Sequence, residues 1–79
     1  MKKFRKFFNN KNILVTGGTG SFGKKFVEFI LKYSKPKKLI IYSRDEYKQY
    51  EMSKIFNQNC MRYFIGDVRD RERLEYALN

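Results

Sequence analysis

Residues 12–23 read NILVTGGTGSFG, an apolar run that breaks into glycines and passes at once into a helical pattern. Ile13, Leu14 and Val15 are apolar on both faces, as a parallel strand covered on both sides requires. Thr16 ends the run. The glycines fit two registers of a dinucleotide-binding turn: Gly18, Gly20 and Gly23 give GxGxxG, and Gly17, Gly20 and Gly23 give TGxxGxxG. In either register one glycine permits the tight turn, Gly20 lets backbone approach a pyrophosphate, and Gly23 lets the helix close on the strand. The helix that opens at Ser21 then points its N-terminus at the anion.

Gly18 to Lys24 also matches most of the GxxxxGK[ST] pattern of nucleoside-triphosphate loops. Lys25 stands where the hydroxyl residue belongs. An ammonium cannot replace a hydroxyl as a magnesium ligand, so that reading is set aside.

The rest of the chain supplies the alternation that the turn needs. Phe22, Phe26, Phe29, Ile30 and Tyr33 recur at helical spacing and predict a helix that lays this stripe on the sheet, ended by Pro36. Leu39 to Tyr42 predicts a second strand, followed by Ser43, Arg44 and Asp45. Glu46 to Phe56 is polar and helical, and Met61 to Ile65 predicts a third strand ended by Gly66 and Asp67. Asp70 can cap a last helix with Leu74, Ala77 and Leu78 on its apolar face. The order is βαβαβα, one mononucleotide-binding half of a Rossmann-type doubly wound α/β sheet. Right-handed crossovers put the first two helices on one sheet face, leaving the last helix, with the aromatic leader as a further candidate, for the other.

Seventy-nine residues make one small domain of marginal stability. We divide it into a basic aromatic leader, residues 1–12, and a partial dinucleotide-binding domain, residues 13–79. The leader sets Phe4, Phe7 and Phe8 among lysines and an arginine, but it spans about two turns, too short to hold a membrane surface by itself. It lacks the apolar core of a secretion signal. A single cysteine, Cys60, and no histidine exclude disulfides, zinc clusters and His-dependent catalysis within the chain, and a reducing cytoplasm is expected. The net charge of +10 is spread along the sequence and reads as a solvated basic surface. Neither nucleic acid nor a membrane is expected as a partner.

Cofactor choice rests on the residues after the second strand. An acid there serves ribose hydroxyls, and an arginine accommodates a 2′-phosphate. Arg44 precedes Asp45, so NADP is expected over NAD.

With these residues in view, the chain resembles the extended short-chain dehydrogenase/reductase superfamily. Within it, the chain is similar to the inverting UDP-N-acetylglucosamine 4,6-dehydratases of polysaccharide biosynthesis. TGGTGSFGKKF, IIYSRDEYKQYEM and RYFIGDVRDRERLEYAL carry the resemblance, over residues 12–78. It implies NADP contacts at Thr19, Gly20, Ser21 and Phe22, at Ser43, Arg44, Asp45, Glu46, Tyr47 and Lys48, and at Asp67 and Val68. It also implies oxidation of a sugar at C4, loss of water across C5 and C6, and return of the hydride to C6. The Tyr-x-x-x-Lys pair and acidic partner of such enzymes are expected beyond this sequence, so no residue here is assigned a catalytic role. Tyr50 to Lys54 and Tyr33 to Lys37 match that spacing by letter only. The chain is therefore expected to be the cofactor-binding N-terminal portion of such an enzyme, inactive alone and meeting a nucleotide sugar only when the second half is supplied. With one sheet face short of helices, its stability alone is expected to be near zero unless it associates through that face. A free-standing dinucleotide- or partner-binding module is the alternative reading, and a basic nucleic-acid-binding protein a more remote one.

Overall fold

The computed structural model describes residues 7–17 and 19–78. Gly18, the leader as far as residue 6 with Phe4, and Asn79 lie outside the described residues. Three strands and three helices alternate: β1 (Asn12–Thr16), α1 (Ser21–Tyr33), β2 (Lys38–Ser43), α2 (Glu46–Ile55), β3 (Met61–Ile65) and α3 (Arg71–Leu78). The sheet is parallel in the order β1-β2-β3, with Val15 opposite Ile41 and Ile41 opposite Tyr63. This is the βαβαβα arrangement expected from the sequence.

Alternation along the strands divides the core in two. On one face Leu39, Ile41 and Met61 meet Val27 and Ile30 of α1 and Met52 of α2. On the other, Ile40 and Tyr42 lie under Ala77 of α3, with Leu14, Phe64 and Leu74 against them. The first two helices thus share a face, as right-handed crossovers require. β2 is flanked on both sides and buried from Leu39 to Ser43, whereas β1 and β3 are only partly covered.

Three expectations are corrected. The line of α1 that meets the sheet is Gly23, Val27 and Ile30 with Phe26 packed at its edge, so Ile30 and Phe26 of the expected stripe face the core while Phe22 and Phe29 do not. Phe22 is 83% exposed and Phe29 39% exposed. Gly23 is buried with no side chain of its own, and Phe22 lies outside Phe26, stacked on it. Of the leader's aromatic residues that are described, Phe8 goes to the better-covered face, packing against the α1 and α2 cluster edge-on to Phe26, while Phe7 stays exposed. Leu78, at the last turn of α3, is 44% exposed, so that helix's apolar contact is carried by Leu74 and Ala77, with Tyr76 edge-on to Phe64.

Tyr63 donates its hydroxyl to the carbonyl of Phe56 at 2.6 Å. Burial, with the neighbouring Cys60 thiol adding to it, pushes the phenol up to about 12. Below the ordinary tyrosine pKa of about 10 both folded and unfolded chains keep this proton, and the group adds no pH dependence. Above it the unfolded phenol ionises first, so stability should fall as pH rises from about 10 to about 12. Urea midpoints measured across that window should drop more steeply for the wild type than for Tyr63→Phe. Parallel slopes would refute this account of Tyr63.

Candidate functional site

All three strands run their carboxyl ends to one edge of the sheet, and the loops there form two adjoining clefts. The first, about 370 Å³, is lined by Gly17, Tyr42, Ser43, Arg44, Gly66, Asp67, Val68 and Arg69. The second, about 720 Å³, is lined by Thr19, Gly20, Ser43, Arg44, Asp45, Glu46 and Lys48. Ser43 and Arg44 belong to both, so they form the wall between them.

The glycine turn closes the β1 side. Gly17 has φ +64°, in the left-handed region that a side chain resists. Its N–H donates to the Tyr42 carbonyl at 3.0 Å, which pins the turn to β2. Gly20 is the N-cap of α1, and no side chain caps that helix. A Cβ built on Gly20 would meet nothing closer than the Gly17 carbonyl oxygen at 3.7 Å, so the space above it is open. An α-helix start leaves its first N–H groups without intrahelical partners and carries partial positive charge. Arg44 and Lys48 add two formal charges beside it. These residues fit a pyrophosphate physically: backbone donors, an open approach and cations, with Asp45 and Glu46 on the same cleft.

On β2 the loop is fixed from below. Gln49, buried on α2, donates its amide to the Ser43 hydroxyl at 3.0 Å and to the Phe64 carbonyl at 2.7 Å, tying α2 to the ends of β2 and β3. Asp45 caps α2, its Oδ1 accepting from the Lys48 N–H at 2.9 Å. That engagement leaves Asp45 less able to serve ribose hydroxyls. Arg44, its side chain 74% exposed, makes one long contact, 3.5 Å from Nη1 to Asp67 Oδ2.

On the β3 side Asp67 accepts from the Arg69 N–H at 2.9 Å and from the Arg69 guanidinium at 2.8 to 3.2 Å. The Arg69 side chain first, and its backbone N–H second, hold the Asp67 carboxyl well below the usual carboxylate range. Tyr42 donates its hydroxyl to the Asp67 carbonyl at 3.1 Å, and burial pushes its phenol up. Gly66 sits against that ring: a Cβ there would overlap the Tyr42 hydroxyl and lie 2.7 Å from Cζ and 3.0 Å from Cγ of Arg73. Gly66→Ala should therefore destabilise the fold by about 1–3 kcal/mol, the usual cost of overpacking. Combined with Tyr42→Phe, which removes the nearest atom, the loss in thermal midpoint should be less than the sum of the two single losses. Strict additivity would show that the hydroxyl is not the obstacle.

The fold brings Gly17, Thr19, Gly20, Ser43, Arg44, Asp45, Glu46, Lys48, Asp67 and Val68 together around these clefts. It does not bring Phe22 or Tyr47 side chains to them: Phe22 lies on the outer flank of α1, and Tyr47 is 70% exposed and hydrogen-bonded to Glu51. Ser21 and Gly23 take part only as first-turn backbone of α1. Sequence reasoning missed Tyr42, Gln49, Gly66 and Arg69 as site residues. Gln49 had a signal, since it falls three residues before Met52, on the helix face turned to the sheet, where a polar residue needs a partner.

The family model described as "Polysaccharide biosynthesis protein" matches residues 13–79. A UDP-N-acetylglucosamine 4,6-dehydratase (inverting) of Campylobacter jejuni subsp. jejuni is 70% identical over 71 residues, 90% of this chain and 21% of that protein. A UDP-glucose 4-epimerase of Rickettsia typhi is 37% identical over 75 residues, covering 91% of this chain and 22% of that protein. The X-ray structure of Pen from Bacillus thuringiensis matches with a TM-score of 0.82 and 40% identity, over 92% of this chain and 22% of that one. The chain spans about a fifth of the length of the curated relatives it matches. Among the described residues, no helix is long and apolar enough to cross a membrane. From the glycine turn to α3, the chain belongs to the polysaccharide biosynthesis protein family.

Proposed function

We propose that this chain is the NADP-binding N-terminal portion of a nucleotide-sugar 4,6-dehydratase of the inverting UDP-N-acetylglucosamine type, working in the cytoplasm on polysaccharide or glycan precursors. One observation carries the reading. The uncapped glycine turn, the Arg44 wall and the Asp67–Val68 loop meet around two joined clefts at the carboxyl ends of parallel strands, where dinucleotides bind in open α/β sheets. The 70% identical relative supplies the reaction class. The match to an epimerase over the same segment supports a role in holding the shared cofactor rather than in choosing the sugar reaction.

Bound here, a nicotinamide dinucleotide would supply the hydride acceptor for sugar oxidation. The residues of this chain hold the other end of it. First-turn N–H groups of α1 take the pyrophosphate, Arg44 with Lys48 takes a 2′-phosphate, and Asp67 and Val68 border the adenine. The nucleotide sugar and its acid and base belong to polypeptide outside this sequence. Self-association through the sheet face beside α3 is part of the same reading, because that face is covered by α3 alone among the described residues.

Titration of the purified chain with NADPH, NADH and duplex DNA at two salt concentrations tests the proposal. Saturable 1:1 NADPH binding is expected, tighter than NADH, with DNA binding weak and falling steeply with salt. Absence of dinucleotide binding by a folded chain would overturn it.

A further inference from the structure

We propose that Arg69 sets the cofactor preference of the cleft: by gripping the Asp67 carboxylate it keeps that group from capturing Arg44, whose guanidinium is left to meet a phosphate. The proposal rests on the dinucleotide reading above and adds to it a residue of the loop after β3.

The geometry is that of two cations competing for one anion. Arg69 reaches both carboxylate oxygens, with Nε at 3.1 and 3.2 Å and Nη2 at 2.8 Å from Oδ2. Arg44 reaches the same Oδ2 only at 3.5 Å. A planar guanidinium that binds a carboxylate through two nitrogens is held in place far better than one at a single long contact. Asp67 is therefore engaged by Arg69, and Arg44, which lines both clefts, stays largely exposed. Asp67 stays ionised throughout the neutral range, so an unguarded carboxylate 3.5 Å from Arg44 would act against a 2′-phosphate twice. It would pair with the arginine that the phosphate needs, and it would repel the phosphate directly. NAD, which presents ribose hydroxyls at that point, suffers neither penalty.

Arg69→Ala removes the guanidinium but leaves the Arg69 N–H, which donates to Asp67 Oδ1 at 2.9 Å and holds the turn. The loop should therefore persist. Fluorescence titrations with NADPH and NADH should show the affinity ratio falling about tenfold in Arg69→Ala, through weaker NADPH binding. Adding Asp67→Asn, which removes the competing charge, should return the ratio to within about twofold of the wild type. Circular dichroism checks the fold of each variant. If Arg69→Ala does not fold, Arg69→Lys serves instead, since it keeps the charge without the two-nitrogen grip and should shift the ratio in the same direction by less. Equal losses for both cofactors would overturn the proposal, as would a ratio that Asp67→Asn fails to restore. A wild-type chain that prefers NADPH while Arg69→Ala keeps that preference sinks this inference alone. A wild-type chain that binds neither dinucleotide sinks the functional reading, and this one with it.

Discussion

Replacing Arg44 by alanine should weaken NADP binding by about 10- to 150-fold while NAD affinity changes by no more than about twofold. The figure follows from the charge-assisted contact it would make with a 2′-phosphate, typically about 1.5–3 kcal/mol. Arg44 suits the test because its side chain is 74% exposed and its recorded ion pair is the 3.5 Å approach to Asp67. The truncation thus removes little that the fold needs. Asp45, the acid that would otherwise read the ribose, has an oxygen engaged at the start of α2. Isothermal titration of both cofactors against wild type and variant decides it, and matching losses for NADP and NAD would sink the assignment.

The second large effect is an absence. Given NADP and UDP-N-acetylglucosamine, residues 1–79 by themselves should form no detectable 4-keto sugar. General acid–base catalysis contributes about 10²- to 10⁴-fold, and orienting the sugar contributes more, yet the cleft residues supply neither function. The two letter matches to Tyr-x-x-x-Lys are disposed of by geometry. Lys54 lies over the face of the Tyr50 ring, Nζ 4.4 Å from its centroid, and neither residue lines a cleft. Tyr33 and Lys37 are separated by Pro36, beyond the end of α1. Product detection by mass spectrometry is the measurement. Turnover by the chain alone, lost in Tyr50→Phe, would reinstate the rejected pair.

Much of this was legible beforehand because each signal was local. Apolar runs of strand length, the glycine cluster and the interval to Arg44 fixed the element order and most of the cleft wall. Gly20 and Arg44 could be placed beside the clefts because each follows its strand closely in sequence. What stayed hidden depended on distant neighbours. The face of α1 was read partly wrong: Ile30 and Phe26 do meet the core, but Phe22 and Phe29, the larger hydrophobes, outweighed Val27 on paper, and the buried line runs through Gly23 and Val27. Gln49 looked like one more polar residue of a polar helix until its amide met β2 and β3. Arg69 could not be told from any surface arginine, since only the turn at Asp67 folds its side chain back onto the carboxylate.

The unequal covering of the three strands has a dynamic consequence. β2 is enclosed on both faces and both edges, while β1 is partly covered and paired on one side only. Amide exchange should therefore be slowest in β2, and opening of β1 should be a separate, cheaper event that takes the Gly17 turn with it. Under the function proposed above, a dinucleotide would span that seam, with its pyrophosphate on the β1 turn and its adenosine over the β2 and β3 loops. It would act as a strut across that joint. The fraction of chains with β1 docked then limits apparent affinity, and each tenfold excess of ligand over its Kd returns about 1.4 kcal/mol of protection to β1 amides that would otherwise exchange first.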